Sequence, residues 1–227
     1  MKRTGIGVGE FLAVSAFRSD HPDRVLDTVR QFFEKYGTHA NRIEGDDAEG
    51  DDVLVFRSVN GWVVVAWPQY FSDVPAAEFI SGALGVLAST VRIHDGDYWS
   101  HTLFRDGQVL DRFASMPDYF TDDPAEVSRL AREWAGDPSI VSEAVGRPVD
   151  DVAPYLVHIV LDDDGYATAG GGKAVADDSF DREVPWVFTD FWRRLGIDYP
   201  NDLTDFTERL RLAPGWDGRL PTGDAEL

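Results

Sequence analysis

Cysteine is absent from the chain, lysine appears only at Lys2, Lys35 and Lys173, and no uninterrupted apolar run approaches the length of a membrane helix. The missing cysteine excludes disulfides, thiolate catalysis and cysteine metal sites. The missing apolar run excludes a membrane-spanning helix, which needs about 18 or more such residues. The opening MKRTGIGVGEFLAVSAF has a basic start, but Glu10 interrupts its short apolar segment. It therefore reads as a first strand rather than a secretion signal, and a cytoplasmic protein is expected.

Basic residues are scarce as a class. Lys and Arg total 21 against 41 Asp and Glu, for a net charge of -20. Nucleic acid backbones and anionic membranes both demand positive surface, so neither is an expected partner. The opposite partner is favoured: a basic protein, met with electrostatic steering. Acidity that serves only solubility or salt adaptation would leave the same composition.

Nucleotide and catalytic motifs also fail. Gly5, Gly7 and Gly9 have no strand before them, as a dinucleotide fingerprint requires. GGGKA (170–174) has Ala167 where a phosphate loop begins with glycine, and Ala174 where it needs Ser or Thr. No GxSxG elbow occurs. EGDDAEGDD (44–52) lacks the spacing of a calcium loop and reads as a solvated, mobile segment. His21, His39 and His158 stand alone. No metal and no cofactor are expected, and nothing favours an enzyme.

What is present describes a packed α+β protein. Hydrophobic residues make up 43% of the chain and include seven tryptophans, enough for a sizeable core. EFLAVSAF (10–17) reads as a strand. Asp20 reads as the cap of a helix over 21–36, whose Val25, Val29, Phe32, Phe33 and Tyr36 recur at helical spacing before Gly37. Asn60-Gly61 joins two strands, 53–59 and 62–67, because both central residues of a type I′ turn need positive φ. WVVVAW has no polar face, which suits burial on both sides. Asp73 then caps a helix over 74–86.

Three strands follow, 88–94, 97–104 and 108–113, joined by Asp95-Gly96 and Asp106-Gly107. The order βαββαβ predicts a ferredoxin-like antiparallel sheet, extended by a β-meander. Beyond Pro117 the pattern predicts short helical segments over 124–135 and 138–153, broken by Gly136 and by Gly146 and Pro148, then a strand over 155–161, a loop over 162–183 and a helix over 184–197. A single compact domain is expected over 1–212, with a sheet-rich half (1–117), a mainly helical C-terminal half (118–212) packed on it, and a flexible tail (213–227).

The meander is the best candidate site. With both Asp-Gly pairs as two-residue turns, His94 faces Asp97, Arg92 faces Trp99, and His101 faces both Thr90 and Arg112. Alternation then gathers Arg92, His94, Asp97, Trp99, His101 and Arg112 on one face, leaving Val91, Ile93, Tyr98, Phe104, Val109 and Phe113 for the core. Arginine forks, a tryptophan plane and histidines beside Asp97 would suit an anionic or planar ligand, or acid–base chemistry. Alternatively the C-terminal half covers this face, with Trp99 as its packing anchor.

Three functions are compatible with these features. The first is a non-enzymatic acidic protein that docks on a protein partner, as an immunity-type neutraliser of a basic toxin would. The second is a small-ligand binder or enzyme working from the meander face. The third is an assembly subunit.

Overall fold

A computed structural model describes residues 10–44, 52–68, 71, 73–162, 164, 166–200 and 202–213. Gly5, Gly7, Gly9, most of the acidic segment 44–52 and the tail beyond residue 213 lie outside these residues. Eight strands form one antiparallel sheet with helices on both faces. In chain order the first elements are β1 (Leu12–Arg18), α1 (Pro22–Lys35), β2 (Ala40–Arg42), β3 (Asp52–Val55), β4 (Trp62–Ala66), α2 (Asp73–Leu84), β5 (Leu87–His94), β6 (Tyr98–Arg105) and β7 (Gln108–Ala114). The later elements are α3 (Pro124–Glu133), α4 (Pro138–Val145), α5 (Val149–Val152), β8 (Val160–Leu161), β9 (Ala167–Ala169), α6 (Val187–Leu195) and β10 (Glu208–Leu212). The large sheet runs β2-β10-β3-β4-β1-β5-β6-β7, and β8 and β9 make a separate hairpin.

Strand alternation sorts the core into two layers. Phe17, Val63, Val65, Ala88 and Phe104 point to α1 and α2, where they meet Val25, Val29, Phe32, Phe33, Ala77 and Ile80. Val14, Ala16, Val64, Val91, Trp99 and Leu103 point the other way, onto Val141, Val152, Tyr155, Phe188, Phe191 and Trp192 of the C-terminal half. WVVVAW is buried along its whole length, as its lack of a polar face requires. Asn60 and Gly61 have φ of 54° and 78°, the positive values their turn needs.

Several boundaries differ from expectation. Helix α1 starts at Pro22, with His21 as its N-cap and no side-chain cap bond, so Asp20 does not cap it. Proline tolerates this first position because its missing N–H would have no helical partner. Asp73 lies inside α2, and its carboxylate is taken up by Thr90 and Arg92 of the sheet. The segment 138–153 does break as expected, into two helices separated by Gly146 in the left-handed region and by Pro148. The expected strand 155–161 is irregular up to Ile159, and pairs only at β8.

The largest departure is β10. The helix-rich half was expected to pack on the sheet, yet its last segment enters the sheet between β2 and β3. Leu210 pairs with Arg42 on one side and Val53 on the other. Asp52, read as part of the acidic loop, is instead the buried first residue of β3. Arg211 grips it with two hydrogen bonds of 2.9 and 3.1 Å.

Candidate functional site

The meander does not assemble the expected face. Asp95 and Gly96 have the expected positive φ, and the Asp97 N–H closes the turn onto the His94 carbonyl. Pairing resumes one residue later, however, with His94 opposite Tyr98, Ile93 opposite Trp99 and Val91 opposite His101. Asp97 is the extra residue. Because side chains alternate with period two, this single insertion exchanges the faces of β6 relative to β5. The Asp106-Gly107 turn keeps its two residues, but a second irregularity follows between Leu103 and Phe104.

The six residues therefore separate. Arg92 lies on the α1/α2 side and binds Asp73 at 2.9 and 3.1 Å. His94, also on that side, touches Phe11, Tyr119 and Phe120 through ring centroids 4.7 to 5.7 Å apart. Desolvation lowers its pKa, opposed by the charge of Asp95 and reinforced by that of Arg92. Asp97 is exposed in the connecting loop, and the Arg112 guanidinium lies 5.6 Å from the Trp134 ring. Trp99 and His101 point to the opposite layer. Trp99 is the anchor for the C-terminal half, packed on Phe113 and Phe191.

His101 and Ser89 share a hydrogen bond of 2.9 Å, the contact of a nucleophilic dyad. Its setting argues against that chemistry. Both side chains are fully buried, and the Trp192 indole donates to the same serine oxygen at 2.9 Å. His101 Nδ1 has no hydrogen-bond partner, so no carboxylate orients the ring. Burial pushes the His101 pKa down to about 3. The trio ties α6 to the sheet. Among the described residues no group of three His, Asp or Glu side chains could hold a metal ion.

A cleft of about 820 Å³ lies elsewhere, between the β3–β4 connection and the chain around α6. Its inner wall is apolar, made by the buried Phe56, Trp62 and Val64, with the half-buried Phe180, Trp186 and Tyr199 beside them. Exposed Arg57, Asp198, Asp202 and Asp205 form its outer part.

Helix α6 positions one side. Phe188, Phe191, Trp192 and Leu195 follow helical spacing and are buried, and Gly196 at φ 84° ends the helix in the left-handed region. Trp186 and Tyr199 bracket the helix and meet edge to face at 5.8 Å. Asp190 accepts the backbone N–H of Ser179 and Phe180 at 2.8 and 3.0 Å, which fixes the Phe180 wall. Behind it Arg193 bridges Asp177, Asp178 and Asp190, while Tyr155 donates to Asp178 at 2.6 Å.

The electrostatics of the outer part are acidic. Asn60 donates to Asp198 at 2.9 Å, and Trp186 donates to Glu10 at 2.9 Å. Desolvation and then the Glu10 charge raise the Tyr199 pKa to about 12, so this phenol remains neutral. The Thr204 hydroxyl and N–H donate to Asp202 and lower its pKa, keeping it ionised. Arg57 pairs with Asp205 at 3.4 Å, with both side chains mostly exposed. The geometry offers aromatic surface next to carboxylates.

The sequence reading missed this cleft. VPWVFTDFWRRLGIDYP advertises a buried helix, and its bracketing aromatics look like more of the same. The cleft forms only when that segment meets residues 56–64, more than a hundred positions away. Comparison of the chain with protein-family models, with curated proteins and with solved structures gives no match.

Proposed function

We propose that this is a non-enzymatic acidic binding protein that docks on a basic protein partner, with the aromatic cleft on its docking face. The observation that carries this reading is the pairing of apolar rings with exposed carboxylates in one cleft of a molecule of charge -20. Aromatic side chains give large contact area at low entropic cost, and the carboxylates steer an oppositely charged partner. Part of the scarce basic charge is engaged within the chain. Arg42, Arg92, Arg129, Arg193, Arg194 and Arg211 all bind carboxylates of their own chain. An immunity-type neutraliser of a basic toxin is one protein with these needs.

Two narrower expectations belong to this reading. The strands β3, β4, β1 and β5, with α1 and α2 on one face, are read as a ferredoxin-like core that the meander and β10 extend. A cytoplasmic setting is proposed with it; no helix among the described residues is long and apolar enough to cross a membrane.

The test starts with a partner captured from native lysate and then purified. Its association rate should fall roughly tenfold or more as salt rises from about 0.01 M to about 1 M, because the screening length shrinks across that range. The Trp186→Ala/Tyr199→Ala variant should dissociate faster with little change in association. A salt-independent rate, or a captured partner that is itself acidic, would sink the reading.

A further inference from the structure

We infer that the cleft is an anchor site for one cationic side chain of the partner, lysine or arginine, and that Arg57 is its internal competitor. This rests on the cleft being the docking face. The aliphatic stem of such a side chain matches the apolar wall, where Trp186 and Tyr199 present half-buried rings. Its charged head then reaches Asp198, Asp202 and Asp205, and a nearby ring face adds cation–π attraction.

Charge complementarity selects a cation over a neutral or anionic group. Four carboxylates line the cleft, Asp190, Asp198, Asp202 and Asp205, against two guanidiniums, Arg57 and Arg193. Arg193 and Asp190 already engage each other at 3.1 Å, and Asp177 and Asp178 hold the same guanidinium. Among the described lining residues that leaves three outer carboxylates, Asp198, Asp202 and Asp205, against one further cation, Arg57. Arg57 has taken Asp205 at 3.4 Å, in an exposed pair worth little by itself. An incoming cation must share that carboxylate with Arg57 and meets its like charge there. Removing Arg57 should therefore tighten binding, an effect that a merely structural role for this residue would not produce.

The experiment uses acetylated, amidated tripeptides Gly-Lys-Gly, Gly-Arg-Gly and Gly-Met-Gly, titrated into the full chain at low salt. The indole N–H resonance of Trp186 is followed by NMR. The lysine or the arginine peptide should shift it saturably, and the comparison of the two identifies the preferred head group. The methionine peptide should leave it in place. Arg57→Gln should raise the affinity for the cationic peptide by about threefold, and Asp198→Asn should lower it by a similar factor, the scale of one exposed ion pair. Both positions are exposed, and the asparagine can still accept the Asn60 bond, so neither change threatens the fold.

Equal shifts with the methionine peptide, no saturable shift with either cation, or weaker binding by Arg57→Gln would each overturn the anchor site. Poly-L-lysine titrated in parallel separates this proposal from the broader one. If poly-L-lysine binds while the tripeptides leave Trp186 unmoved, the anchor fails and the acidic docking reading survives. If poly-L-lysine also fails to bind, both fall.

Discussion

His101 shows how one side chain can look functional in a sequence and prove structural in a fold. It sits in the layer between β6 and α6, bonded to Ser89 and facing the edge of Phe191. Burial holds its pKa at about 3, far below the usual value near 6.5. A histidine depressed in the fold contributes stability above its unfolded pKa and loses it as the pH falls toward the folded one. The affected window runs from about pH 6.5 down to about pH 3. Between pH 6.5 and 4.5 the His101 contribution should fall by about 2 kcal/mol. Denaturant unfolding across this range should therefore be steeper in pH for wild type than for His101→Gln, by close to one proton. Equal slopes would mean that the ring is hydrated or protonated in the fold.

At the scale of elements, the decisive feature is the closing strand. β10 pairs with β3 over four residues and with β2 over three, and so joins the end of the described chain to its first third. Leu210 is its fully buried contribution to the layer under α1 and α2. Leu210→Ala should cost about 3 kcal/mol, from lost burial and the cavity left behind. Hydrogen exchange should locate that loss in β2 and β3 as well as in β10. Unchanged protection of Val53 and Leu54 would show that β3 does not depend on its neighbour. ERLRL carries two arginines in five residues and resembles an exposed helix turn or loop in sequence. The carboxylate of Asp52, across the sheet, pairs with both arginines, and Arg209 also donates to the Glu44 carbonyl at 3.4 Å. A pairing partner some 150 residues away leaves no local signal.

For the whole molecule, the charge of -20 acts on the free protein as well as on its partners. Self-repulsion opposes the compact state, and salt screens it. The melting temperature of the unliganded protein should therefore rise by several degrees between low and moderate salt. Calorimetry checks this, and a flat or falling midpoint would show that the internal arginine pairs already balance the repulsion. Much of the architecture was legible without coordinates. The apolar repeat of α1, the uniformly buried β4, the Asn60-Gly61 hairpin and the strands β1 and β3 to β7 follow from local periods of 3.6 and 2 and from turn chemistry, whereas the three-residue β2 carries no such signal. Those signals are local because they depend on side-chain direction and φ, which neighbouring residues set. Register, the entry of β10 and the cleft are different. One extra residue at Asp97 moved Trp99 and His101 to the opposite layer, and distant segments brought Trp62, Trp186 and Asp198 together. The sequence by itself determined the helix α1, the strands β1 and β3 to β7 with their turns, and the acidic balance of charge. The tertiary structure alone decided which residues share a face and where that acidity borders aromatic surface, because both depend on contacts between segments far apart in the chain.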